Sequence, residues 1–598
     1  MAVFMMSGEE VMSEEQLAHW RSESESAAGF PPTLDELRRE VARRRNIVNF
    51  RRLQLVCDGV VVGPDSSMDE SVKGDFFVYL RPYADADWDA RLFGANNHFA
   101  EVVHLLEQPL NPDVVVTNAG LNAGRTLLHF AAEHGNPEAV RCLLEVGANK
   151  DPADRYWCTP MHCAAENDHR EVVRSLLEAG ADKDLADVSW CTPLHAAAGN
   201  GHAEVVQSLL EVGANKDPAD VYWCTPLHYA ARKGHAEVVQ SLLEAGADKD
   251  LADVGWCTPL HAAAENGHAE VVQSLLEVGA NKDPADVYWC TPLHYAARKG
   301  HAEVVQSLLE AGADKDLADV GWCTPLHAAA ENGHAEVVQS LLEVGANKDP
   351  ADVGWCTPLH YAAREGHAEV VQSLLEAGAD KDLADEDWCT PWHAAAGNGH
   401  AEVVQSLLEA GADKDLADVC WCTPLHYAAR KGHAEVVQSL LEVCANKDPA
   451  DRHWCTPLHY AARKGHAEVV QSLLEAGADK DLADEDWYTP LHFAAEKGHA
   501  EVVQSLLEVG ANKDPADVGW CTPLHYAARE GHAEVVQSLL EAGADKDLAD
   551  EDWCTPLHVA ARKGHAEVVQ SLLEAGANKD LADVYWYRHL GPTRTWLT

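Results

Sequence analysis

Long apolar segments and a basic leader are both missing from this sequence of 598 residues. No apolar run approaches the roughly 18 residues that a membrane-spanning helix needs. The first ten residues, MAVFMMSGEE, do not combine a basic start with an apolar core, which a secretory signal would require. We therefore expect neither a membrane span nor a signal peptide.

Basic side chains are scarce. The chain has 46 Lys and Arg against 97 Asp and Glu, a formal net charge of −51. Such a field repels the phosphate backbone of nucleic acids and attracts basic surfaces in a salt-dependent way. We expect protein partners with basic surfaces and no nucleic acid. Hydrophobic residues make up 46% of the chain, which is typical of a folded protein.

Catalytic patterns are also missing. We find no Ser-His-Asp set, no phosphate-binding Gly loop, no paired carboxylates and no zinc-ligand spacing. We therefore expect no enzymatic activity, no cofactor and no metal. Twelve of the 17 Cys occupy one recurring position. They are too far apart for disulfides if the repeats stack, which indicates reduced thiols in a cytoplasmic or nuclear protein.

What the sequence does contain is a repeat. The stretch TPLHYAARKGHAEVVQSLLEAGADKDLADV, which begins at Thr225, recurs with few changes at a fixed period of 33 residues, in fourteen copies. The copies open at Thr126, Thr159, Thr192, Thr225, Thr258, Thr291, Thr324, Thr357, Thr390, Thr423, Thr456, Thr489, Thr522 and Thr555. A period of this size indicates a repeat architecture and not a series of unrelated domains.

Each copy predicts two helices. Thr225 suits the N-cap of the first, Pro226 suits its first position, and Gly234 suits its end. A second helix over residues 235–244 has its Val and Leu pairs on one face, and Gly246 ends it. One such pair can bury its apolar face only against its neighbours, so the sequence predicts a solenoid.

The period and the motif Thr-Pro-Leu-His-x-Ala resemble the ankyrin repeat, over about three quarters of the chain. The resemblance implies an α solenoid of helix-turn-helix-loop units that stack in a right-handed curve, with loops and first helices on the concave side. It also implies a monomeric, non-catalytic scaffold that binds proteins there.

Positions that vary among the copies are the candidate contacts. In ankyrin proteins the residues just before the motif Thr and just after the Ala pair face the partner; the alternative explanation is drift at exposed positions. The candidates are Tyr222, Arg232, Lys233, Glu265, Asn266, Tyr288, Arg298, Lys299, Glu331, Asn332, Arg364, Glu365, Arg430 and Lys431.

The repeats set the expected domain boundaries. Residues 1–82 do not repeat, residues 83–125 look like a degenerate capping ankyrin unit and a loop, residues 126–587 form the array, and residues 588–598 form an irregular tail. Because the last copy is as apolar as the internal ones, a second interpretation is that the chain is the regulatory fragment of a larger multidomain enzyme.

The non-repeating start predicts a strand near residues 2–6, a helix from Thr33, and strands near 53–57, 60–62 and 76–80. This order resembles a ubiquitin-like β-grasp, a small α+β fold, with residues 13–30 in place of its second strand. A further alternative is therefore an adaptor in the ubiquitin or proteasome system. The basic run 38–52 fits a solvated helix face better than an RNA-binding patch.

A Trp stands two residues before the motif Thr in every copy from Trp157 to Trp586. Many ankyrin repeats have Gly at this position. The rings could form a binding stripe, but we expect them to pack over the next loop and fill the space between layers, because aromatic rings usually bury a large area.

Overall fold

The computed structural model describes residues 123–581 except residue 146, five short strands between residues 3 and 80, and residues 19, 113 and 115. The predicted N-terminal helix, the basic run, the capping unit at 89–107 and the tail at 588–598 lie outside the described residues.

The N-terminal strands form one mixed sheet. In chain order they are Val3–Met5 (β1), Glu10–Met12 (β2), Leu53–Cys57 (β3), Val60–Val61 (β4) and Phe76–Leu80 (β5). Their order in the sheet is β2-β1-β5-β3-β4. β1 runs parallel to β5 at the centre, and the other pairs are antiparallel.

β2 is a correction to the sequence prediction, which had the loop at 13–30 in place of a second strand. The strand is there, three residues long, just before that loop. Three residues are too few for the alternation of apolar and polar side chains to be recognised.

The remaining described chain consists of fourteen helix pairs. The first helices are Leu127–Glu133, Pro160–Glu166, Pro193–Asn200, Pro226–Lys233, Pro259–Glu265, Pro292–Lys299, Pro325–Glu331, Pro358–Glu365, Pro391–Asn398, Pro424–Lys431, Pro457–Lys464, Pro490–Lys497, Pro523–Glu530 and Pro556–Lys563. The second helices are Pro137–Glu145, Arg170–Glu178, Ala203–Glu211, Ala236–Glu244, Ala269–Glu277, Ala302–Glu310, Ala335–Glu343, Ala368–Glu376, Ala401–Glu409, Ala434–Glu442, Ala467–Glu475, Ala500–Glu508, Ala533–Glu541 and Ala566–Glu574. This is the predicted solenoid of helix-turn-helix-loop units. Within the part of the chain that the structure describes, no helix has the length and apolar character to cross a bilayer.

The caps form as the residue types predict. Thr225 and His228 make a capping box at the start of a first helix, with His in the place that Glu or Gln usually takes. Gly234 ends that helix in the left-handed conformation, with φ of 77°, which costs Gly little because it has no Cβ.

The core lies between helices of successive repeats. Val238, Val239 and Leu242 are fully buried on the second helix, and Ala230 and Ala231 are fully buried on the first. Small Ala side chains let neighbouring first helices come close, and first helices of successive repeats pack on one another, as Pro226–Lys233 does on Pro193–Asn200. Each layer is therefore covered by a nearly identical one, as a solenoid requires.

The chain divides into two compact units, Met1–Ala263 with Gln273–Ala280, and Ala264–Val272 with Asn281–Thr598. Each unit contains stacked helix pairs. Described by itself, each repeats the same hydrogen bonds from layer to layer.

Candidate interaction surface

The loop between helix pairs ends in a tight hairpin tip. In the second unit, the Asp319 N–H donates to the Cys323 carbonyl at 2.9 Å, and the Trp322 N–H donates to the Asp319 carbonyl at 2.9 Å. Asp319 Oδ1 accepts the N–H groups of Gly321 at 2.8 Å and Cys323 at 3.0 Å. The Asp carboxylate thus organises the turn from within, so the Asp repeated at this position is architectural.

Trp322 has φ of 62° in this turn. A type I turn followed by a left-handed residue is a common hairpin geometry, but the left-handed position usually belongs to Gly. All thirteen described Trp at this position have positive φ. The backbone therefore adopts the left-handed conformation that is typical of Gly, but the residue carries an indole side chain.

These indoles are exposed, which corrects the expectation that they fill the space between layers. The thirteen described rings are 63–66% exposed. With about two thirds of its surface in solvent, such a side chain does not fill the space between two layers. Trp392, which replaces the motif Leu on a first helix, shows the contrast, because it is fully buried.

Neighbouring tips are tied to each other. In the second unit the Val320 N–H donates to the Tyr288 carbonyl at 3.0 Å, and the Val353 N–H donates to the Gly321 carbonyl at 3.1 Å. The corresponding bond in the first unit joins Val254 to Tyr222 at 3.0 Å. Successive tips are held in register, and the Trp positions with them.

The candidate contact residues lie at the tips and at the ends of first helices. Tyr222 and Tyr288 are about as exposed as the Trp beside them, at 64% and 65%. Arg298 and Arg430 are half-buried. The other candidates are exposed: Arg232, Lys233, Glu265, Asn266, Lys299, Glu331, Asn332, Arg364, Glu365 and Lys431.

Three of the candidate Arg residues lie against Tyr rings of their own chain. The guanidinium carbon of Arg364 is 4.5 Å from the Tyr361 ring centre, and that of Arg430 is 4.8 Å from the Tyr427 ring centre. Arg298 lies 5.8 Å from Tyr295 in the same way. These contacts hold the Arg side chains in place, whereas the neighbouring Lys side chains extend into solvent.

Comparison with known families identifies the repeats. A family model described as ankyrin repeats, three copies, matches seven overlapping or adjoining segments: 92–187, 184–253, 251–319, 317–385, 392–484, 446–517 and 491–583. Together these segments span most of the chain. The chain belongs to the ankyrin-repeat family.

Solved ankyrin structures are also similar to it. The crystal structure of the human ASB11 ankyrin repeat domain is 33% identical, covers 37% of this chain and 99% of its own, and superimposes with a TM-score of 0.35. No curated protein matches.

The motif His of each ankyrin repeat is structural, as predicted. His294 Nδ1 accepts the Thr291 N–H at 3.1 Å. Because Nδ1 is the acceptor, the proton of the neutral ring lies on Nε2, which donates to the Cys323 carbonyl of the next repeat at 3.1 Å. Burial lowers the pKa of His294 to about 4. The ring is thus a neutral tie between repeats.

The second His series makes another tie between ankyrin repeats. His334 opens a second helix, and its Nε2 lies 3.0 Å from the carbonyl of Arg298 in the preceding repeat. His367 contacts the Glu331 carbonyl in the same way, also at 3.0 Å. Carbonyl groups in the last turn of a helix have no partner within that helix. The His ring supplies one for the last turn of the first helix in the preceding repeat.

The recurring Cys residues are not poised for chemistry. The sixteen described Cys are all free thiols. Burial raises the pKa of Cys323 to about 11, and that of Cys389 to about 11. A thiol reacts as its thiolate, so burial keeps Cys323 and Cys389 in the unreactive thiol form at neutral pH. Among the residues with described side chains, no group of His, Cys, Asp and Glu has the arrangement of a metal site.

The contact role of the variable positions stays a prediction, whereas the exposure of the Trp series was missed by sequence reasoning. A usable signal was present. Gly is the usual residue at this turn position because the backbone there is left-handed, and a Trp in such a turn projects from the tip.

Proposed function

We propose that the protein is a non-catalytic scaffold that binds partner proteins through the concave ankyrin surface. The observation that carries the proposal is the contrast within each repeat. The helices and the hydrogen bonds between repeats are nearly invariant. The exposed positions that Tyr222, Lys233 and Lys299 occupy hold other residue types in other copies. An invariant frame with varied exposed residues is suited to recognition, and ankyrin repeats are protein-interaction modules.

The proposal keeps the boundaries derived from the sequence. Residues 1–82 form a ubiquitin-like domain, residues 83–125 a capping unit and loop, residues 126–587 the array and residues 588–598 a tail. The scaffold acts as a monomer in the cytoplasm or nucleus. Its partners have basic surfaces, because the chain has a net charge of −51.

Affinity capture from cells tests this function. The test variant carries Glu265→Lys, Glu331→Lys and Glu365→Lys, which reverse the charge of exposed contact positions at the ends of three first helices. The matched control carries Gln273→Lys, Gln339→Lys and Gln372→Lys on the second helices of the same repeats, with the same final residue.

The intact chain and the Gln control should retain a common set of partners, and the Glu variant should lose it, because its new cations repel a basic partner surface. Loss of the partners from both variants, or from neither, would contradict the assignment of the contact surface. Circular dichroism of all three proteins establishes that they fold equally.

We propose as a second function that residues 1–82 dock to a component of the ubiquitin system. The sheet order β2-β1-β5-β3-β4, with its central parallel β1–β5 pair, supports this idea because it is a β-grasp arrangement. Deleting residues 1–82 should remove proteasome or ligase components from the captured set and leave the other partners. Their absence from the capture by the intact chain would refute this second function.

A further inference from the structure

The exposed Trp of the second unit form a regular series at the hairpin tips, which we call the indole ladder. Its members are Trp289, Trp322, Trp355, Trp388, Trp421, Trp454, Trp487, Trp520 and Trp553. Each is at least 63% exposed, and each has a backbone conformation that costs a non-Gly residue free energy. A residue that is both strained and exposed in every repeat is not explained by packing.

The hydrogen bonds at the tips set the spacing of the ladder. Within a tip, Asp319 bonds to Cys323 across the hairpin at 2.9 Å, and Val353 of the next tip bonds to Gly321 at 3.1 Å. Each repeat thus adds two hydrogen-bonded chain segments. Since such segments lie about 4.8 Å apart, equivalent Trp positions recur about every 9.6 Å.

An extended ligand matches this spacing in only one common backbone conformation. A polyproline II helix has three residues per turn and rises about 3.1 Å per residue, so every third side chain lies on one face about 9.3 Å from the last. A β-strand repeats on one face at about 6.8 Å, and an α-helix at about 5.4 Å. The polyproline II repeat comes closest to one side chain per rung, ahead of the seven-residue repeat of an α-helix at about 10.5 Å.

Three of the nine tips of the ladder favour positive charge. Two exposed carboxylates directly precede the indole in three tips. They are the pairs Glu386 and Asp387, Glu485 and Asp486, and Glu551 and Asp552. One tip has the opposite character, because Arg452 and His453 precede Trp454. A cation over an indole face is favourable, and Trp is the best aromatic partner for it.

The space between two rungs is a groove. Trp322 and Trp355 line a cavity of about 430 Å³, together with Val353 and Leu383. Its lining is mostly apolar, and it is open between the two rings. An aromatic-lined groove of this kind suits Pro rings, since polyproline II segments dock on such grooves in other recognition modules.

We propose that the indole ladder binds a proline-rich segment in the polyproline II conformation that carries Lys or Arg at every third residue. The cations stack on the indoles beside the carboxylates, and the Pro residues lie in the grooves between rungs. This inference rests on the proposed scaffold function and names a partner chemistry for its surface. Many weak contacts on one chain combine into a useful affinity by multivalency.

The test uses the full-length protein and a synthetic probe, (Pro-Pro-Lys)6, in a calorimetric titration. The control peptide has the same composition, but all of its Pro residues form one central block and its Lys residues are divided equally between the two ends. Because each rung contributes a weak contact, each added Pro-Pro-Lys unit should tighten binding about two- to fivefold. The spaced peptide should bind at least about tenfold more tightly than the clustered one.

The matched protein variant carries Trp355→Gly, Trp388→Gly and Trp421→Gly, since Gly accepts the left-handed turn and preserves the tips. It should weaken binding of the spaced peptide at least about tenfold. Equal binding of the two peptides would show simple attraction between opposite charges and overturn the proposal. Unchanged binding by the Gly variant would overturn it as well.

The outcome also separates this inference from the scaffold function. If (Pro-Pro-Lys)6 fails to bind while the Glu265, Glu331 and Glu365 variant loses its cellular partners, the scaffold stands and the ladder proposal falls. If the peptide binds as described while the Glu variant keeps all partners, the ladder stands and the first contact surface is wrong.

Discussion

At the scale of single residues, the motif His does most to join one repeat to the next. His459 Nδ1 accepts the Thr456 N–H at 3.0 Å, and its Nε2 donates to the Tyr488 carbonyl at 3.0 Å. A second proton on Nδ1 would remove the acceptor of the Thr456 N–H and leave the Thr456 hydroxyl oxygen, 2.8 Å from Nδ1, to accept that proton. Burial lowers the pKa of His459 to about 4, so the folded chain favours the neutral ring.

This arrangement predicts loss of stability in mild acid. Between about pH 6.5 and 4 the unfolded chain binds protons that the folded chain excludes. The free energy of unfolding should therefore fall as pH decreases through this window, by up to about 1.4 kcal/mol per pH unit for each such His. Urea denaturation followed by circular dichroism at pH 7 and pH 5 measures the change.

The control replaces two of these rings with an amide that does not titrate, in His294→Gln and His360→Gln. Gln can occupy the same capping-box position. The difference in urea midpoint between pH 7 and pH 5 should shrink in this variant. A midpoint that is the same at both pH values in the unaltered protein would contradict the role assigned to the His series.

The Trp at each tip gives a second prediction at this scale. Because its φ is 62°, Trp322 occupies a position that disfavours every side chain with a Cβ. Trp322→Gly should be more stable than Trp322→Ala by about 1 kcal/mol, the reverse of the usual order of Gly and Ala. Urea denaturation of the two variants measures the difference, and a more stable Ala variant would refute the strain.

At the scale of elements, the helices could be predicted from the sequence because each signal is local. Thr before Pro marks the start of a first helix, Gly its end, and the Val and Leu pairs mark the buried face of the second. The structure agrees, with buried Val304, Val305 and Leu308 in one second helix. The orientation of Trp322 is a less direct inference, because it depends on one backbone angle that only the Gly usual at this turn position indicates.

Two Gly residues at helix ends of the first unit distinguish backbone strain from crowding. Gly201 and Gly213 both have positive φ, 80° and 76°. A Cβ on Gly201 would lie 2.7 Å from the His235 ring, whereas a Cβ on Gly213 would meet nothing within 4 Å. Gly213→Ala should cost about 1 kcal/mol, from the backbone alone.

Gly201→Ala should cost clearly more than Gly213→Ala, because the His235 ring must move and its 3.2 Å contact with the Gly199 carbonyl is lost. Thermal unfolding of the two variants measures the order. An equal loss of stability in the two variants would mean that the second His series does not hold neighbouring repeats together.

At the scale of the whole molecule, charge and repetition together determine what the chain can bind. The net charge of −51 favours basic partners, and the tied tips present the same group once per repeat. The net charge follows from composition alone, and the preference for basic partners stays a prediction. The exposure of the same group in every repeat required the structure, because the 33-residue period indicates that something repeats but not which side chains reach solvent.

Every repeat of the array is stable because an equivalent repeat covers it, and this is the central claim about the fold. Deleting residues 324–356 removes one full period of 33 residues and joins Cys323 to Thr357, which recreates the normal junction between repeats. Deleting residues 324–340 removes about half a period and joins Cys323 to Leu341, which leaves a helix face uncovered.

Urea unfolding of these two deletions, followed by circular dichroism, tests the claim directly. The full-period deletion should unfold in a cooperative transition close to that of the intact chain, because only one layer of a repeated stack is lost. The half-period deletion should unfold at a clearly lower urea concentration. Equal midpoints for the two deletions, or loss of folding in the full-period deletion, would contradict the account.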